Sequence, residues 1–216
     1  MSNVIALRPS EIALPTAKNR KVRPRRAKNS EVRSREYLEE NEVERLMAAA
    51  RKESRYGARD ATLVLLMFRH GLRVSEAVSL RWDAIHLVQG TIDVFRMKNG
   101  RPSTHPLTGE ELRALRKLQR DWPDSPYLFC SERGGPMTAD NVRKLVARLG
   151  RDAKFDFPVH PHMLRHSTGF YLANRQAGRD PVDTRTIQAY LGHVNITHTV
   201  RYTELAADRF KGLFTD

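Results

Sequence analysis

One short segment limits the fold more than any other part of the chain. Residues 91–97 alternate between polar and apolar side chains, and the Asn99-Gly100 pair that follows is a strong hairpin turn. A return strand fits residues 103–107, which places Lys98 at the tip of the hairpin. No other segment carries a clear strand pattern. The sequence therefore predicts a mainly α fold with a small antiparallel β-sheet.

The rest of the folded part shows the spacing of apolar residues that is typical of helices. Gly71 is placed to end one of these helices, and Thr108 with Glu111 has the spacing of a capping box that begins another. Asp183 and Asn195 are expected to begin two short helices, and Tyr202 falls near the end of the second. The predicted helices cover residues 38–47, 59–70, 73–80, 108–120, 138–151, 161–177, 183–192 and 195–202.

Charge indicates the class of partner. The 216 residues carry a formal net charge of +13, which is typical of proteins that bind nucleic acids and, less often, of proteins that bind anionic membrane surfaces. No apolar run approaches the roughly 18 to 20 residues that span a bilayer, and the N-terminus lacks a secretory pattern. Cys130 is the single cysteine, so no internal disulfide can form. We therefore expect a protein of the reducing cytoplasm, associated with the nucleoid.

Much of this charge lies before the folded part. Between residues 18 and 35, nine cations are opposed only by Glu31. Blocks of like charge repel themselves, stay disordered and commonly bind nucleic acids. We therefore expect residues 1–36 to form a basic, disordered DNA-binding arm and residues 37–216 to form a folded domain with a C-terminal tail; a solvated tail without function is the alternative. The DNA-contacting candidates are Lys18, Arg20, Lys21, Arg23, Arg25, Arg26, Lys28, Arg33 and Arg35.

Candidate side chains for phosphate chemistry recur along the folded part. Cleavage of a phosphodiester without a metal needs a nucleophile, cations on the non-bridging oxygens, and an acid for the leaving oxygen. Arg73 and Arg165 are candidate phosphate clamps, because guanidinium groups pair bidentately with phosphate oxygens. Lys98 on a hairpin tip is a candidate acid, and Tyr202 a candidate nucleophile. Taken singly, each of the four also fits an ordinary structural or surface role.

Two histidines accompany Arg165 on the same predicted helix. His162 lies three residues before Arg165, so the two share a helical face. His166 lies four residues after His162, and the two rings have the spacing of a metal-binding pair. No cysteine or carboxylate nearby completes a zinc site, so we expect no metal and no cofactor.

The order of these motifs resembles the tyrosine recombinase (phage integrase) family. Gly71-Leu72-Arg73-Val74-Ser75-Glu76 comes first, and Lys98 follows on a hairpin. The segments 161–167 (Pro-His-Met-Leu-Arg-His-Ser) and 190–193 (Tyr-Leu-Gly-His) come next, and Tyr202 lies nine residues after His193. The resemblance covers roughly residues 37–210 and is greatest to the short fimbrial phase-switch invertases.

The resemblance implies a role for each of six residues. Tyr202 would attack the scissile phosphate and form a 3′-phosphotyrosyl link, which is later rejoined to a partner strand. Arg73 and Arg165 would hold the non-bridging oxygens, and Lys98 would protonate the departing 5′ oxygen. His162 would accept the tyrosine proton, and His193 would hydrogen-bond the phosphate.

The same resemblance implies further expectations. Glu76 would orient Arg73, and the enzyme would act as a homo-tetramer on paired sites in double-stranded DNA, by inversion, integration or excision. Two features depart from the family: a basic arm stands where most members carry a DNA-clamping domain, and residues 174–182 form a longer loop than is usual. A non-catalytic DNA-binding regulator with the same fold is the alternative.

Overall fold

The computed structural model describes residues 35–96, 101–174 and 181–204. The basic arm before Arg35, Lys98 at the hairpin tip and the tail after Glu204 lie outside these ranges. Within them the chain is mainly helical and contains one small antiparallel sheet, as the sequence predicts. The helices are α1 Glu40–Glu53, α2 Gly57–Arg69, α3 Val74–Val78, α4 Gly109–Asp121, α5 Ala139–Asp152, α6 Pro161–Ala173, α7 Thr184–Leu191 and α8 Thr197–Glu204; the strands are β1 Ile85–His86, β2 Thr91–Val94 and β3 Ser103–Pro106.

The sheet confirms the predicted hairpin and adds a strand to it. β2 pairs antiparallel with β3, in a register that runs from Thr91 opposite Pro106 to Val94 opposite Ser103. β1 pairs antiparallel with the other edge of β2. Two residues are too few to show an alternation of apolar and polar side chains, so β1 could not be recognised in the sequence.

The core is built around α2. Its segment Leu63–Phe68 is buried on every side, and α1 packs Val43 and Leu46 against it. Just before α1, the buried Leu38 donates its backbone N–H to Ser167 on α6, at 2.8 Å. This bond fixes the start of the folded part to the helix that carries the candidate histidines.

The capping residues predicted at the starts of two helices are confirmed. Thr108 accepts a hydrogen bond from the backbone of Glu111 at the start of α4, and the Glu111 carboxylate accepts one from the backbone of Thr108. Asp183 caps α7 by accepting from the backbone of Arg185 and Thr186. These side chains satisfy backbone N–H groups that have no partner within a helix, so each helix begins where its cap stands.

One predicted helix is too long. We expected the helix from Pro161 to continue to residue 177, but α6 ends at Ala173. Asn174 leaves the helical conformation at φ −124° and ψ 34°, and its side-chain amide donates to the carbonyl of Phe170 at 2.9 Å. Asparagine competes for backbone groups in this way, which favours helix ends.

Among the described residues, no helix is both long enough and apolar enough to cross a membrane.

Candidate active site

The turn between α2 and α3 places Arg73. Gly71 adopts the left-handed conformation, at φ +58°, and the Leu72 N–H donates back to the Met67 carbonyl at 3.1 Å. A side chain at position 71 would also collide with Leu191, because an added Cβ would lie 2.4 Å from its methyl carbon. Glycine therefore allows α2 to end directly against α7, with Arg73 at the start of α3.

Glu76 makes two hydrogen bonds to Arg73. Its carboxylate accepts from the Arg73 guanidinium at 2.6 Å and from the Arg73 backbone at 2.9 Å. Burial raises the pKa of Glu76, but the hydrogen bonds from Arg73 and the charges of Arg96 and Arg73 outweigh it, so the pKa is lowered. The carboxylate is therefore ionised at neutral pH and orients a side chain that remains about a quarter exposed.

Arg165 on α6 connects the turn at Gly71 with the end of α7 at Leu191. Its guanidinium, in a residue only 1% exposed, donates to the carbonyls of Gly71 and Leu191. Burial and the neighbouring charges of Arg73 and Arg96 lower the pKa of Arg165 to about 9. The guanidinium is thus still charged at neutral pH, in surroundings that favour an added anion.

Arg96 is a site residue that the sequence analysis missed. Its fully buried guanidinium donates to the carbonyls of His70 (2.9 Å), Gly71 (3.3 Å) and Tyr190 (2.5 Å), and to Glu76 (3.1 Å). A signal was present, because Ile92 and Val94 face the core and strand alternation continues that face to position 96. The residue types at positions 95 and 96 suggest the opposite orientation of the strand, because the apolar Phe95 is 68% exposed whereas the charged Arg96 is buried.

A second buried polar cluster ties the hairpin to the helices. His105 on β3 lies 3.1 Å from His70 (Nδ1 to Nδ1) and 2.8 Å from the Ser103 hydroxyl, and its ring stacks on Tyr190 at 3.8 Å. His70 Nε2 in turn lies 2.8 Å from a carboxylate oxygen of Glu111. Burial, with the charges of His70 and Arg96, lowers the pKa of His105 to about 3, so this ring is neutral.

The Leu-Gly-His turn after α7 places His193. Gly192 is left-handed at φ +63°, and a Cβ there would lie 2.6 Å from the Arg96 side chain. His193 Nδ1 lies 2.9 Å from the Thr199 hydroxyl on α8. Burial and the charges of Arg165 and Arg73 lower the pKa of His193 to about 3. A neutral imidazole is thus held beside the arginines.

Tyr202 on α8 is buried against α6 and is only 4% exposed. Its ring lies directly on Gly169, where an added Cβ would approach the ring to 2.4 Å. The hydroxyl lies 2.8 Å from Nδ1 of His166. Burial raises the pKa of Tyr202, although the charges of Arg165 and Arg201 act against it.

The two histidines of α6 occupy different environments. His162 is exposed, and its ring meets that of His166 edge-on, with centroids 4.5 Å apart. His166 is half-buried, and burial together with the charges of His162 and Arg201 lowers its pKa to about 3. Across the described ranges, no group of three or more His, Cys, Asp or Glu side chains is arranged to hold a metal ion.

Arg35 belongs to the folded part, although we predicted it as a member of the DNA-binding arm. Its guanidinium donates to the Tyr37 carbonyl at 2.9 Å and pairs with Glu42 on α1. The other arm candidates lie outside the described residues, as does Lys98. The structure thus brings together Arg73, Glu76, Arg96, Arg165, His193 and Tyr202, with His166 and His162 at the edge.

Comparisons with known proteins show the family of this chain. A family model described as the phage integrase family matches residues 36–209. The type 1 fimbriae regulatory protein FimB of Escherichia coli (strain K12) is 40% identical over 187 residues, which are 84% of this chain and 90% of FimB. The tyrosine recombinase XerD of Ralstonia nicotianae is 34% identical over 183 residues, which are 82% of this chain but 58% of XerD.

Solved structures show the same fold. The crystal structure of XerA recombinase superposes with a TM-score of 0.68 at 28% identity, and the match covers 80% of this chain and 61% of XerA. XerH recombinase bound to its difH substrate superposes with a TM-score of 0.63 at 23% identity, over 78% of this chain and 50% of XerH. The chain therefore spans between half and two thirds of the length of these two recombinases.

Proposed function

This chain belongs to the phage integrase family of tyrosine recombinases, and on that premise we propose that it cleaves and rejoins specific DNA sites through a 3′-phosphotyrosyl intermediate. One observation carries the proposal. The ring of Tyr202 lies beside the ring of His193, with centroids 6.4 Å apart, and the charges of Arg165 and Arg73 act on its hydroxyl, although burial leaves its pKa raised. A nucleophile beside two cations is the arrangement that attack on a phosphate needs, because negative charge grows on the non-bridging oxygens during the reaction.

Each remaining group has a proposed part in the step. Arg73 and Arg165 hold the non-bridging oxygens, and Glu76 keeps Arg73 turned toward them. His193, as a neutral imidazole, donates a hydrogen bond to the phosphate, and Lys98 protonates the departing 5′ oxygen. The phosphotyrosyl link conserves the energy of the broken bond, so rejoining needs neither ATP nor a metal ion.

The experiment that tests this function is covalent trapping on DNA. The protein is incubated with labelled duplex that contains the repeats neighbouring its own gene, and the reaction is stopped with denaturant. We expect a protein–DNA adduct in which Tyr202 carries the 3′ phosphate, with a free 5′ hydroxyl on the other side of the cut. Binding without any adduct, at all sites and times, would leave only the alternative of a non-catalytic regulator.

The product of the full reaction distinguishes two uses of the same chemistry. We propose a homo-tetramer that acts on paired sites, by inversion, integration or excision. A relaxing enzyme that works on one site is the second candidate, because one subunit suffices to nick and reseal. A supercoiled plasmid with two sites separates them, since recombination yields rearranged circles and relaxation yields only topoisomers.

Lys98→Ala is expected to slow cleavage of ordinary DNA by about 10²-fold or more, because general acids typically contribute that much. A matched substrate with sulfur at the 5′ bridging position has a leaving group that needs no proton. On this substrate Lys98→Ala should recover most of the parental rate. Single-turnover adduct formation measures both rates, and equal impairment on the two substrates would reduce Lys98 to a phosphate contact.

Removal of residues 1–34 is expected to weaken DNA binding and to reduce its dependence on salt. Each phosphate that a cation neutralises contributes about −0.9 to the slope of log K against log salt concentration. Loss of the basic residues between Lys18 and Arg33 should therefore flatten the slope by several units. Titrations at four or more salt concentrations measure it, and a slope equal to that of the full chain would show that the arm makes no contact with DNA.

A further inference from the structure

One chain of polar side chains in the core takes no part in the proposed reaction. It runs from the Glu111 carboxylate through the rings of His70 and His105 to the hydroxyl of Ser103, with successive polar atoms 2.8, 3.1 and 2.8 Å apart. Glu111, His70 and His105 are each no more than 2% exposed. Burial of polar groups is unfavourable unless they are paired, a condition that apolar side chains in the same space would not impose. We call these four residues the histidine chain.

One end of the histidine chain lies at the base of the hairpin. Ser103 stands opposite Val94, in the pair of the β2–β3 ladder that closes the hairpin loop, and Lys98 belongs to that loop by sequence. Strand alternation places Ser103 and His105 on the core side of β3, whereas Thr104 between them faces solvent. The contact between Ser103 and His105 therefore fixes the base of the loop from the inner side of the sheet.

The other end lies beside the turn that places Arg73. His70 precedes Arg73 by three residues, and its ring contacts both His105 and Glu111. Glu111 is itself held at the start of α4, where its carboxylate accepts a hydrogen bond from the backbone of Thr108. The histidine chain thus joins the base of the hairpin to the turn that carries the first proposed phosphate clamp.

The neutral state of His105 suits a connecting role. Burial, with the charges of His70 and Arg96, lowers the pKa of His105 to about 3. A neutral imidazole donates through one nitrogen and accepts through the other, so this ring can pair with His70 and with Ser103 at the same time. Hydrogen bonds are directional and apolar packing is not. A buried network with every member paired therefore makes the parts that it joins more rigid.

We propose that His105 is a positioning residue for the acid step, which holds the hairpin so that Lys98 meets the leaving 5′ oxygen while Arg73 holds the phosphate. The inference rests on the proposed function and on Lys98 as its acid. The proton comes from Lys98, and His105 neither gives nor takes one. His105 acts through geometry alone, and a misplacement of about 1 Å that originates far from the chemistry can cost about 10²-fold in rate.

The experiment uses the sulfur-bridged duplex, whose leaving group needs no proton. His105→Leu removes both hydrogen bonds and keeps an apolar side chain in the core, whereas His105→Gln restores a donor and an acceptor. Thr104→Val is the matched control, because Thr104 is the next residue along β3 but donates to Asp93 on the solvent face, at 2.7 Å. Single-turnover adduct formation is measured for each protein, at saturating protein concentration, on ordinary and on sulfur-bridged duplex.

His105→Leu should slow adduct formation on ordinary duplex by about tenfold or more, and on sulfur-bridged duplex by less than about twofold, because only the first reaction needs a correctly placed acid. His105→Gln should recover part of the loss, and Thr104→Val should match the parent on both substrates. Combined with Lys98→Ala, His105→Leu should cost nothing further on ordinary duplex, because the two substitutions remove one step.

Two outcomes would overturn the proposal. Equal slowing on the two substrates would show that the histidine chain supports the arginines or the fold and not the acid step. A parental rate for His105→Leu on ordinary duplex would show that the chain only fills the core. A parent protein that forms no adduct would refute the proposed function and this proposal with it, whereas an active parent with either outcome refutes the proposal alone.

Thermal unfolding and DNA affinity recognise a misfolded variant. If His105→Leu unfolds below the assay temperature, Ser103→Ala is measured in its place, because it cuts the chain at a half-buried hydroxyl and leaves both imidazole rings packed. The same preference for sulfur-bridged duplex is expected, with a loss on ordinary duplex of up to about fivefold, which corresponds to one net hydrogen bond. Equal rates of Ser103→Ala on the two substrates, relative to the parent, would again overturn the proposal.

Discussion

Tyr202→Phe is expected to bind its DNA site with the affinity of the parent and to form no covalent adduct. The substitution removes one oxygen and keeps the ring that packs on Gly169, so the fold should change little. The lost hydrogen bond to His166 should alter the free energy of unfolding by about 1 kcal/mol. Denaturing gels of end-labelled duplex measure the adduct, and native gels measure the binding.

Tyr171→Phe is the matched control for this experiment. Tyr171 also lies on α6 and is half-buried, but its ring packs edge-on against Phe68 in the main hydrophobic core. It should form adduct at the parental rate. If adduct survives in Tyr202→Phe, another residue is the nucleophile, and Tyr190, whose hydroxyl donates to the Arg69 carbonyl, is the next candidate.

Much of the fold follows from signals a few residues long. Gly71 and Gly192 end helices in the left-handed conformation, and Thr108 and Asp183 begin helices with their own side chains. The hairpin follows from alternation and a turn pair. These features depend on local sterics and hydrogen bonds, which the sequence displays directly. They also place Arg73 and His193 next to helix ends.

The parts that escaped prediction depend on contacts distant in sequence. Arg96 contacts His70 and Tyr190, which lie 26 and 94 residues away, and no local pattern encodes those partners. His162 and His166 lie on one face of α6 by their spacing, but their spacing does not say which one Tyr202 meets. That choice depends on where α8 crosses α6, at the close approach that Gly169 permits.

Arg96→Met is expected to lower the free energy of unfolding by about 3 kcal/mol and to reduce cleavage even where the protein remains folded. The substitution keeps an apolar stem of similar length but leaves the Glu76 carboxylate with one cation in place of two. It also leaves three buried carbonyls without this donor. Removal of one partner of a buried pair typically costs about 3 to 5 kcal/mol, and we expect the lower end because Arg73 remains on Glu76.

The control for Arg96→Met is an arginine whose ion pair is exposed. Arg55 pairs with Glu132 at 3.0 Å, and their side chains are 75% and 59% exposed. Because water screens such pairs, Arg55→Met should change the free energy of unfolding by less than about 1 kcal/mol. Urea unfolding of the two variants and the parent gives the comparison. If Arg96→Met unfolds at the same urea concentration as Arg55→Met, then Arg96 does not hold the turns at Gly71 and Tyr190 together, and the orientation of Arg73 must depend on Glu76 alone.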